Sequence, residues 1–325
     1  MAYINSIGAI SPQSTVVDDH FACVEPVYKE FINPVQLRRM SRILKMGLGA
    51  SSICINRLPE AKIDAIVVGT GLACIIDLEK FLISVLDGNE HGLSPIPFIN
   101  SSHNTVAAQI AMMHKITGYN NTYCHRGASF ESALQDALML LEEGEAQHVL
   151  VGGIDEYSRH YQTYISEEYG LKNALLGEGA VFFILEKERR ENTLAELKGV
   201  HHFLVKNEEL RIKNGELNNT GFQLIKEEIS GFLQKQGLNR TDIGIFISGK
   251  NGNCITDCIY KELESGFFPN AKTHYFKHLC GEYMTATAFA LEQAVHLLKV
   301  QTEKYALIYN HYDYINHSIM LIQTI

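Results

Sequence analysis

The sequence predicts an α/β fold in which two sets of strands and helices follow the same order along the chain. Apolar runs such as Asp64–Gly71 and Ile243–Ser248 are typical of strands that are buried on both faces. Segments with a helical apolar period follow each run further along the chain, near residues 126–143 and 283–300. The chain has 325 residues, of which 46% are hydrophobic and 20% charged, enough for one large domain or two smaller lobes.

The first half of the chain alternates predicted strands and helices. In chain order, the expected elements are the strand Tyr3–Ile10, a helix between Val35 and Asn56, the strand Asp64–Gly71, the helices Asp77–Leu86 and Thr105–Ile116, a helix through Glu143, and the strands His148–Gly153 and Val181–Glu186. Pro95 and Pro97 exclude a helix interior at residues 94–98, because proline removes a backbone hydrogen bond there. Asn104 is the expected cap of the helix that follows.

The second half repeats that order. Its expected elements are the helix Phe222–Gln236, the strand Ile243–Ser248, the helix Tyr283–Val300, and the strands Tyr305–Tyr309 and Ser318–Gln323. The charged segment at residues 187–196 separates the halves, so we predict an N-terminal half, 1–190, and a C-terminal half, 191–325, in one compact globular unit. Such a duplication would place the N-termini of two buried helices opposite each other, with Cys124 at one and Glu282 at the other.

Composition narrows the classes of function. The net charge is −9 with no basic run, so we expect no nucleic-acid partner. No apolar run reaches the ~18 residues of a membrane span. The seven cysteines are an odd number and no signal peptide is visible, which predicts reduced thiols in the cytoplasm. Cys254 and Cys258 lack a second pair at zinc spacing, so we expect no metal site, and we expect no cofactor.

Cys124 is the candidate nucleophile. It follows the short polar segment Asn121–Tyr123 and precedes the predicted helix that runs through Glu143. A thiol at the start of a helix lies near free backbone N–H groups and the positive end of the helix dipole, which lower its pKa. The alternative is a cysteine that is buried and only packs, as many cysteines do.

Five stretches of the chain resemble motifs of the β-ketoacyl synthase family, which has the thiolase fold. They are Thr122–Gly127 for the nucleophile motif T-A-C-x-x-G, His148–Gly153 with Asp155 for the strand and turn after it, Leu176–Ala180 for the G-E-G-A turn, Lys277–Glu282 for the K-x-x-x-G-H segment, and the residues from Asn310 onward for the N-x-F-G-F-G-G loop. The resemblance implies duplicated βαβαβαββ halves that form a five-layer αβαβα sandwich.

Three further stretches are similar to a short subgroup of synthase-like proteins found beside aryl-polyene and flexirubin-type pigment pathways. They are Leu37–Ser41, Ser94–Phe98 and Ser101–Asn104. Some members of that subgroup pair with an active synthase as a chain-length-factor-like subunit. The resemblance therefore implies fatty-acid or polyketide-type biosynthesis, with an acyl carrier protein or acyl-CoA thioester and a second ketosynthase-like subunit as partners. Arg38, Arg39 and Arg42 are candidates for docking a carrier, with a solvated helix face as the alternative.

The chain departs from the family where catalysis depends on it. Working synthases of the family use a cysteine and two histidines; here Cys124 is kept, Gly249 falls at the first histidine and Glu282 at the second. One lost donor to a developing oxyanion typically costs ~3 kcal/mol, or about 10²–10³ in rate, and a carboxylate would repel that charge. Lys277 is kept and is expected to form a salt bridge with Glu282.

Several other residues are candidates for binding substrate or replacing the histidines. We expect Asn310 and Tyr312, which begin the altered loop, and His103 to bind substrate. For His103, capping or a hydrogen bond in the core is the alternative. His125, His278 and Lys250 are further candidates to replace the lost imidazoles.

Three functions therefore stay open. The first is a non-condensing, chain-length-factor-like partner of an active ketosynthase. The second is an acyltransferase or condensing enzyme that loads an acyl chain on Cys124. The third is a non-catalytic scaffold or binding homodimer. The missing histidines favour the first function, because condensation on its own would lack both donors.

Overall fold

Strands and helices alternate along the chain in the computed structural model, which describes residues 1–88, 91–161, 164, 175–206, 219–253 and 256–325. The strands are β1 (Ala2–Ile10), β2 (Val16–Val17), β3 (His20–Phe21), β4 (Ala65–Gly69), β5 (Tyr119–Tyr123), β6 (His148–Asp155), β7 (Leu176–Gly177), β8 (Gly179–Glu186), β9 (Ala195–Leu204), β10 (Ile245–Ser248), β11 (Lys272–Tyr275), β12 (Tyr305–Tyr312) and β13 (Asn316–Gln323). The helices are α1 (Pro34–Leu37), α2 (Arg42–Asn56), α3 (Ile75–Gly88), α4 (Pro95–Asn100), α5 (Thr105–His114), α6 (Ser129–Glu143), α7 (Asn219–Lys235), α8 (Asp257–Glu262), α9 (Lys277–Cys280) and α10 (Ala286–Val300).

Ten of the strands form one mixed sheet in the order β11-β10-β12-β13-β9-β1-β8-β6-β4-β5. The antiparallel pair β1–β9 lies at its centre. Reading outward on either side, two antiparallel pairings are followed by two parallel ones. The repeated order of elements in the sequence thus corresponds to a repeated order of strands. The division into halves at residue 190 remains a prediction.

Alternating side chains on the buried strands pack against helices on both faces. Ile66 and Val68 contact the layer of α2 and α5, whereas Val67 points into the central cluster around α6 and α10. In the second half, Ile245 and Ile247 join the same central cluster, and Phe246 packs with α7 and α8. The two ends of the ten-stranded sheet thus lie on opposite sides of the central helices. The result is five layers, helix–sheet–helix–sheet–helix, which confirms the predicted α/β fold of the thiolase type. No helix in the described ranges is long and apolar enough to span a membrane.

Three local expectations were wrong. Residues 95–100 form the helix α4, because Pro95 and Pro97 lie in its first turn, where the backbone N–H groups need no partner in the helix. The predicted helix between Val35 and Asn56 is divided into α1 and α2. Asn104 does occupy the cap position of α5, but its side chain makes no cap hydrogen bond.

Candidate active site

Cys124 follows the edge strand β5 and lies beside the loop that leaves β4. Its Sγ donates a hydrogen bond to the backbone carbonyl of Gly71 at 3.3 Å, and the residue is partly buried. The helix α6 begins at Ser129, five residues further on, after a 3₁₀ turn at Arg126–Ala128. The prediction that Cys124 lies at the start of the helix is therefore wrong, since a turn that contains Arg126 at φ 51° separates Cys124 from α6.

Asp155, at the end of β6, connects the loop after β4 to the segment before α10. Its Oδ1 accepts hydrogen bonds from the Thr70 hydroxyl at 3.1 Å and the Gly71 N–H at 2.8 Å. Its Oδ2 accepts from the backbone N–H and the hydroxyl of Thr285, at 2.9 and 2.8 Å. Thr285 immediately precedes α10, so this buried carboxylate fixes the loop after β4 to the start of the second central helix.

The electrostatic environment disfavours a thiolate at Cys124. Burial raises the pKa of the thiol, the Asp155 carboxylate raises it further, and Arg126 offsets only part of the increase. Burial also raises the pKa of Asp155, although its hydrogen bonds act in the opposite direction. The expectation of a lowered thiol pKa is therefore wrong, because burial and the Asp155 carboxylate both raise the pKa of Cys124 and the helix α6 begins five residues further along the chain.

Glu282 lies just beyond α9 and is held by two donors. Its Oε2 accepts hydrogen bonds from Lys277 Nζ and from Asn251 Nδ2, both at 2.7 Å. The Lys277 side chain is 3% exposed and that of Glu282 17%, so most of the ion pair is removed from water. The predicted salt bridge is confirmed, and Asn251 is a third member that the sequence did not reveal.

Gly249 has no room for an imidazole. A Cβ at this position would lie 2.3 Å from Asn310 Oδ1 and 2.8 Å from the Tyr260 hydroxyl. The Tyr260 hydroxyl itself hydrogen-bonds Asn310 Oδ1 at 3.3 Å. Side chains therefore fill the space at Gly249, the position predicted for the first histidine of the family, and Asn251 of the same loop supplies the group that reaches Glu282.

A cavity opens beside Glu282, between the loops that follow β4, β6 and β10 and the β12–β13 hairpin. Side chains from both halves of the chain surround it, among them Leu72, Asp155, Asn251, Leu176, Glu282, Met284, His311, Tyr312 and Tyr314. Neither Cys124 nor Gly249 is among its lining residues. Of the predicted site residues, the structure therefore brings Glu282 and Tyr312 to this cavity.

Tyr312 lines both this cavity and a second pocket, which Asn310, His202 and His317 also line. A Cβ at Gly127 would lie 2.4–2.6 Å from the Tyr312 side chain, so only glycine allows this ring to pack on the turn after Cys124. His103 lies elsewhere, exposed in the turn between α4 and α5. His103 therefore makes no hydrogen bond in the core, and it is not among the lining residues of either pocket.

The remaining candidates to replace the lost imidazoles have other surroundings. His125 is exposed and its Nδ1 lies 3.0 Å from the Ser132 hydroxyl. His278 is exposed on α9. The Lys250 ammonium lies over the ring of Tyr275, 5.5 Å from its centroid. None of the three lines the cavity beside Glu282.

Arg42 is bound within the protein. Its guanidinium forms ion pairs with Glu178 and with Glu25. Although burial raises the pKa of Glu178, the hydrogen bonds and charge of Arg42 hold it below its usual value. Of the three arginines considered for carrier docking, Arg38 and Arg39 are exposed, while Arg42 anchors the turn that carries Glu178.

His311 is the cavity residue that the sequence reasoning missed. It is 9% exposed near the end of β12, and its ring stacks on Tyr260 with centroids 4.9 Å apart. Neither ring nitrogen has a hydrogen-bond partner within the part of the chain that the structure describes. Burial, then His317 and Lys277, lower the pKa of His311 well below its usual value, while the backbone of Thr256 acts in the opposite direction. The imidazole is therefore neutral at physiological pH.

Within the described residues, no three His, Cys, Asp or Glu side chains are placed to hold a metal ion. Cys254 of the C-x₃-C pair lies outside the described residues.

Solved structures share the fold over the full length of the chain. The ishigamide ketosynthase/chain length factor has a TM-score of 0.84 at 16% identity and covers 100% of this chain and 99% of its own. A ketosynthase (ApeO) in complex with its chain length factor (ApeC) from Xenorhabdus doucetiae has a TM-score of 0.80 at 14% identity, covering 100% and 98%. A type II acyl-carrier protein in complex with its ketosynthase has a TM-score of 0.77 at 13% identity, covering 100% and 99%. At these identities the likeness establishes the fold.

A comparison with curated proteins found no match. The family profile described as the β-ketoacyl synthase N-terminal domain matches residues 16–202, which is more than half of the chain and includes Cys124, Asp155 and Glu178. The fold of the similar solved structures agrees with that match. The chain therefore belongs to the β-ketoacyl synthase family.

Proposed function

We propose that this chain is a non-condensing subunit that pairs with an active ketosynthase in fatty-acid or polyketide-type biosynthesis, as a chain length factor does. The observation that carries the proposal is the ion pair of Glu282 and Lys277, completed by Asn251, where the family has an imidazole. Decarboxylative condensation develops negative charge on an enolate oxygen. Each missing donor costs about 3 kcal/mol at such an oxygen, and a carboxylate adds repulsion.

The environment of Cys124 supports the same conclusion. A condensing enzyme needs the thiolate to accept an acyl group. Here the thiol donates to the Gly71 carbonyl, and Asp155 adds negative charge nearby. A thiol that stays protonated near neutral pH is a poor nucleophile, so the cysteine is retained without the activation that the reaction requires.

The surface near β5 supports a second subunit. β5 is an edge strand of the ten-stranded sheet, so one side of it is open to further pairing. The helix α5 packs on β5, and α3 packs on α4, the helix that precedes α5 in the chain. Large apolar side chains are exposed on these three helices: Leu82, Ile83, Leu86, Ile96, Phe98, Ile99 and Met112. Apolar patches of this kind mark protein interfaces. We infer that the partner ketosynthase covers this face, named here the β5 face.

The known structures supply the kind of partner. Two of the similar structures are described as a ketosynthase with its chain length factor, and a third as an acyl carrier protein with its ketosynthase. For this chain we propose a heterodimer with a ketosynthase, and docking of an acidic carrier protein near the exposed Arg38 and Arg39. The six free cysteines within the described residues fit a reducing compartment, and we propose the cytoplasm.

Coexpression tests the pairing. The chain is produced together with a candidate ketosynthase from the same organism, one of the two carrying an affinity tag, and any complex is isolated by size exclusion. We expect a 1:1 complex that Phe98→Asp on the β5 face disrupts and that Val300→Asp, an equally exposed apolar position on α10, leaves intact. Failure to copurify, or equal effects of the two variants, contradicts the proposal.

The chemistry is tested separately. The isolated chain is incubated with acyl carrier protein thioesters and the Cys124 peptide is measured by mass spectrometry, beside a working ketosynthase as the control. We expect the control to be acylated and Cys124 to remain unmodified. Stoichiometric acylation of Cys124 would instead support the acyl-loading enzyme considered above.

A further inference from the structure

Acidic side chains fasten the first turn of the helix α3. Within this fully described helix only Asp77 is buried, at 5% exposure. An amphipathic helix usually buries an apolar stripe, whereas Leu82, Ile83 and Leu86 of α3 are exposed on the β5 face. Polar contacts at the first turn therefore contribute much of what holds α3 in place.

The segment that follows β6 makes these contacts. Glu156 Oε1 accepts a hydrogen bond from the backbone N–H of Ile76 at 3.1 Å. The Ser158 hydroxyl donates a hydrogen bond to Glu79, one turn further along α3. The first turn of a helix has free N–H groups and the positive end of the helix dipole, so it stabilises a nearby anion. Since Asp77 directly follows Ile76, this turn holds two buried carboxyls, those of Glu156 and Asp77.

The two carboxyls carry more negative charge than this turn compensates. Glu156 is 6% exposed, and within the described residues neither Glu156 Oε2 nor Asp77 Oδ2 has a hydrogen-bond partner. Two buried carboxylates repel each other, and an ionised oxygen without a donor is costly to bury. One proton held by the two groups together removes one of the two charges.

The groups around Glu156 favour this protonated state. Burial raises the pKa of Glu156 to about 8, and the charges of Asp77 and Glu178 act in the same direction. The backbone N–H that Glu156 accepts and the charge of Arg42 lower the pKa, but Arg42 is already paired with Glu178. Cys74, just before α3, is a neutral thiol, because burial and both carboxyls raise its pKa.

We propose that Glu156 and Asp77 share one proton that fastens the start of α3, and that loss of this proton to solvent releases α3 and weakens binding of the partner ketosynthase to the β5 face. In the released state the carboxyls reach water and ionise at ordinary acidic pH, so this state binds fewer protons than the fastened one. A rise in pH therefore favours release. The inference rests on the proposed function, because the β5 face is the surface proposed for the partner.

Hydrogen–deuterium exchange of the α3 peptides tests the fastening in the full-length chain alone. Rates at pH 7 and pH 9 are divided by those of the same peptides in urea-unfolded protein, which removes the intrinsic effect of pH on exchange. We expect the protection of α3 in the wild type to fall by up to about tenfold between the two pH values. Glu156→Gln should keep its protection, because the amide oxygen still accepts from Ile76 but the side chain cannot ionise. Asp77→Asn is the second variant and should also reduce the fall, since it leaves a single anion at the helix start.

Glu292→Gln is the matched control. Glu292 lies on α10, its Oε2 has no partner within the described residues, and burial raises its pKa to about 7. This variant should show the same fall in α3 protection as the wild type. The inference is overturned if the wild type shows no fall, if Glu156→Gln falls as much as the wild type, or if Glu292→Gln abolishes the fall.

Binding of the partner is measured separately. The tagged ketosynthase is immobilised, and its affinity for the wild type and for Glu156→Gln is measured at pH 7 and pH 9 by biolayer interferometry. We expect the wild type to lose up to about tenfold more affinity than Glu156→Gln as the pH rises. Equal pH dependence of the two refutes the link between the carboxyls and the β5 face and leaves the pairing intact. A pH-dependent release of α3 without any complex at either pH refutes the pairing and leaves the shared proton intact.

Discussion

Lys277→Met tests whether the Glu282 network is built as a buried ion pair. The substitution keeps most of the side-chain volume and removes the cation from Glu282, whose Oε2 then has only Asn251 Nδ2 as a donor. Removing one partner of a fully buried pair typically costs about 3–5 kcal/mol, because the other charge is left uncompensated. The Glu282 side chain is 17% exposed, so water and Asn251 recover part of this energy. We expect a loss of about 2–3 kcal/mol in the free energy of unfolding.

The measurement is urea unfolding followed by circular dichroism at pH 7. Lys272→Met is the matched control, because Lys272 pairs with Glu303 at 2.9 Å but is 56% exposed. Exposed pairs contribute less than about 1 kcal/mol, so this variant should be nearly as stable as the wild type. The double variant Lys277→Met/Glu282→Met removes both charges and should be more stable than Lys277→Met alone. Equal losses for Lys277→Met and Lys272→Met would refute the reasoning.

Three further predictions concern the groups around this site. Gly249→Ala should destabilise the protein by about 1–3 kcal/mol in urea unfolding, since the added Cβ collides with Asn310. The control Gly88→Ala adds a Cβ in open space and should leave the stability unchanged or raise it. Similar losses for the two variants would contradict the packing described at Gly249. Cys124 should react with iodoacetamide more slowly at pH 7 than a free cysteine, and faster as the pH rises, because its thiol pKa is raised; peptide mass spectrometry measures this, and rapid labelling at pH 7 would count against it. Burial raises the pKa of Glu131 to about 7. As the pH rises from 5 to 8, the wild type should therefore lose up to about 3 kcal/mol of stability relative to Glu131→Gln, because the folded state resists ionisation of this carboxyl. A stability difference that does not change with pH would contradict a raised pKa of Glu131.

The sequence predicted the strands that are buried on both faces and was silent about those at the edges. Val67 and Val68 belong to a continuous apolar run, because both faces of β4 are covered by helices. The edge strand β5 instead reads Tyr-Asn-Asn-Thr-Tyr, and its first two residues are exposed. At the opposite edge, β11 reads Lys-Thr-His-Tyr. Edge strands need little apolar surface, so their pattern is indistinguishable from that of a polar loop.

The ion pair of the site could be predicted from charges and a sequence motif. The contacts that depend on how loops and strands pack could be predicted less well. Lys277 and Glu282 stand five residues apart in a recognisable motif, and a carboxylate next to a buried lysine has an obvious partner. The hydrogen bond from Asn251 to Glu282 depends on a loop conformation that the sequence does not specify. His311 did carry a signal: it extends the face of β12 on which Leu307 and Tyr309 are buried. A histidine at the next position of that face is expected to be buried as well.

The two positions predicted for the family's histidines, Gly249 and Glu282, are connected through one loop. The space of a side chain at residue 249 is taken by Asn310, and the same loop after β10 extends Asn251 to Glu282. Restoring one imidazole by Glu282→His therefore leaves the other position closed, and it places Lys277 beside a neutral ring instead of its counter-charge. We expect this variant to remain inactive in a condensation assay with acyl- and malonyl-carrier thioesters, even when a working ketosynthase turns over. Activity in the single variant would mean that Gly249 is not the second obstacle, and that the carboxylate of Glu282 alone prevents the reaction.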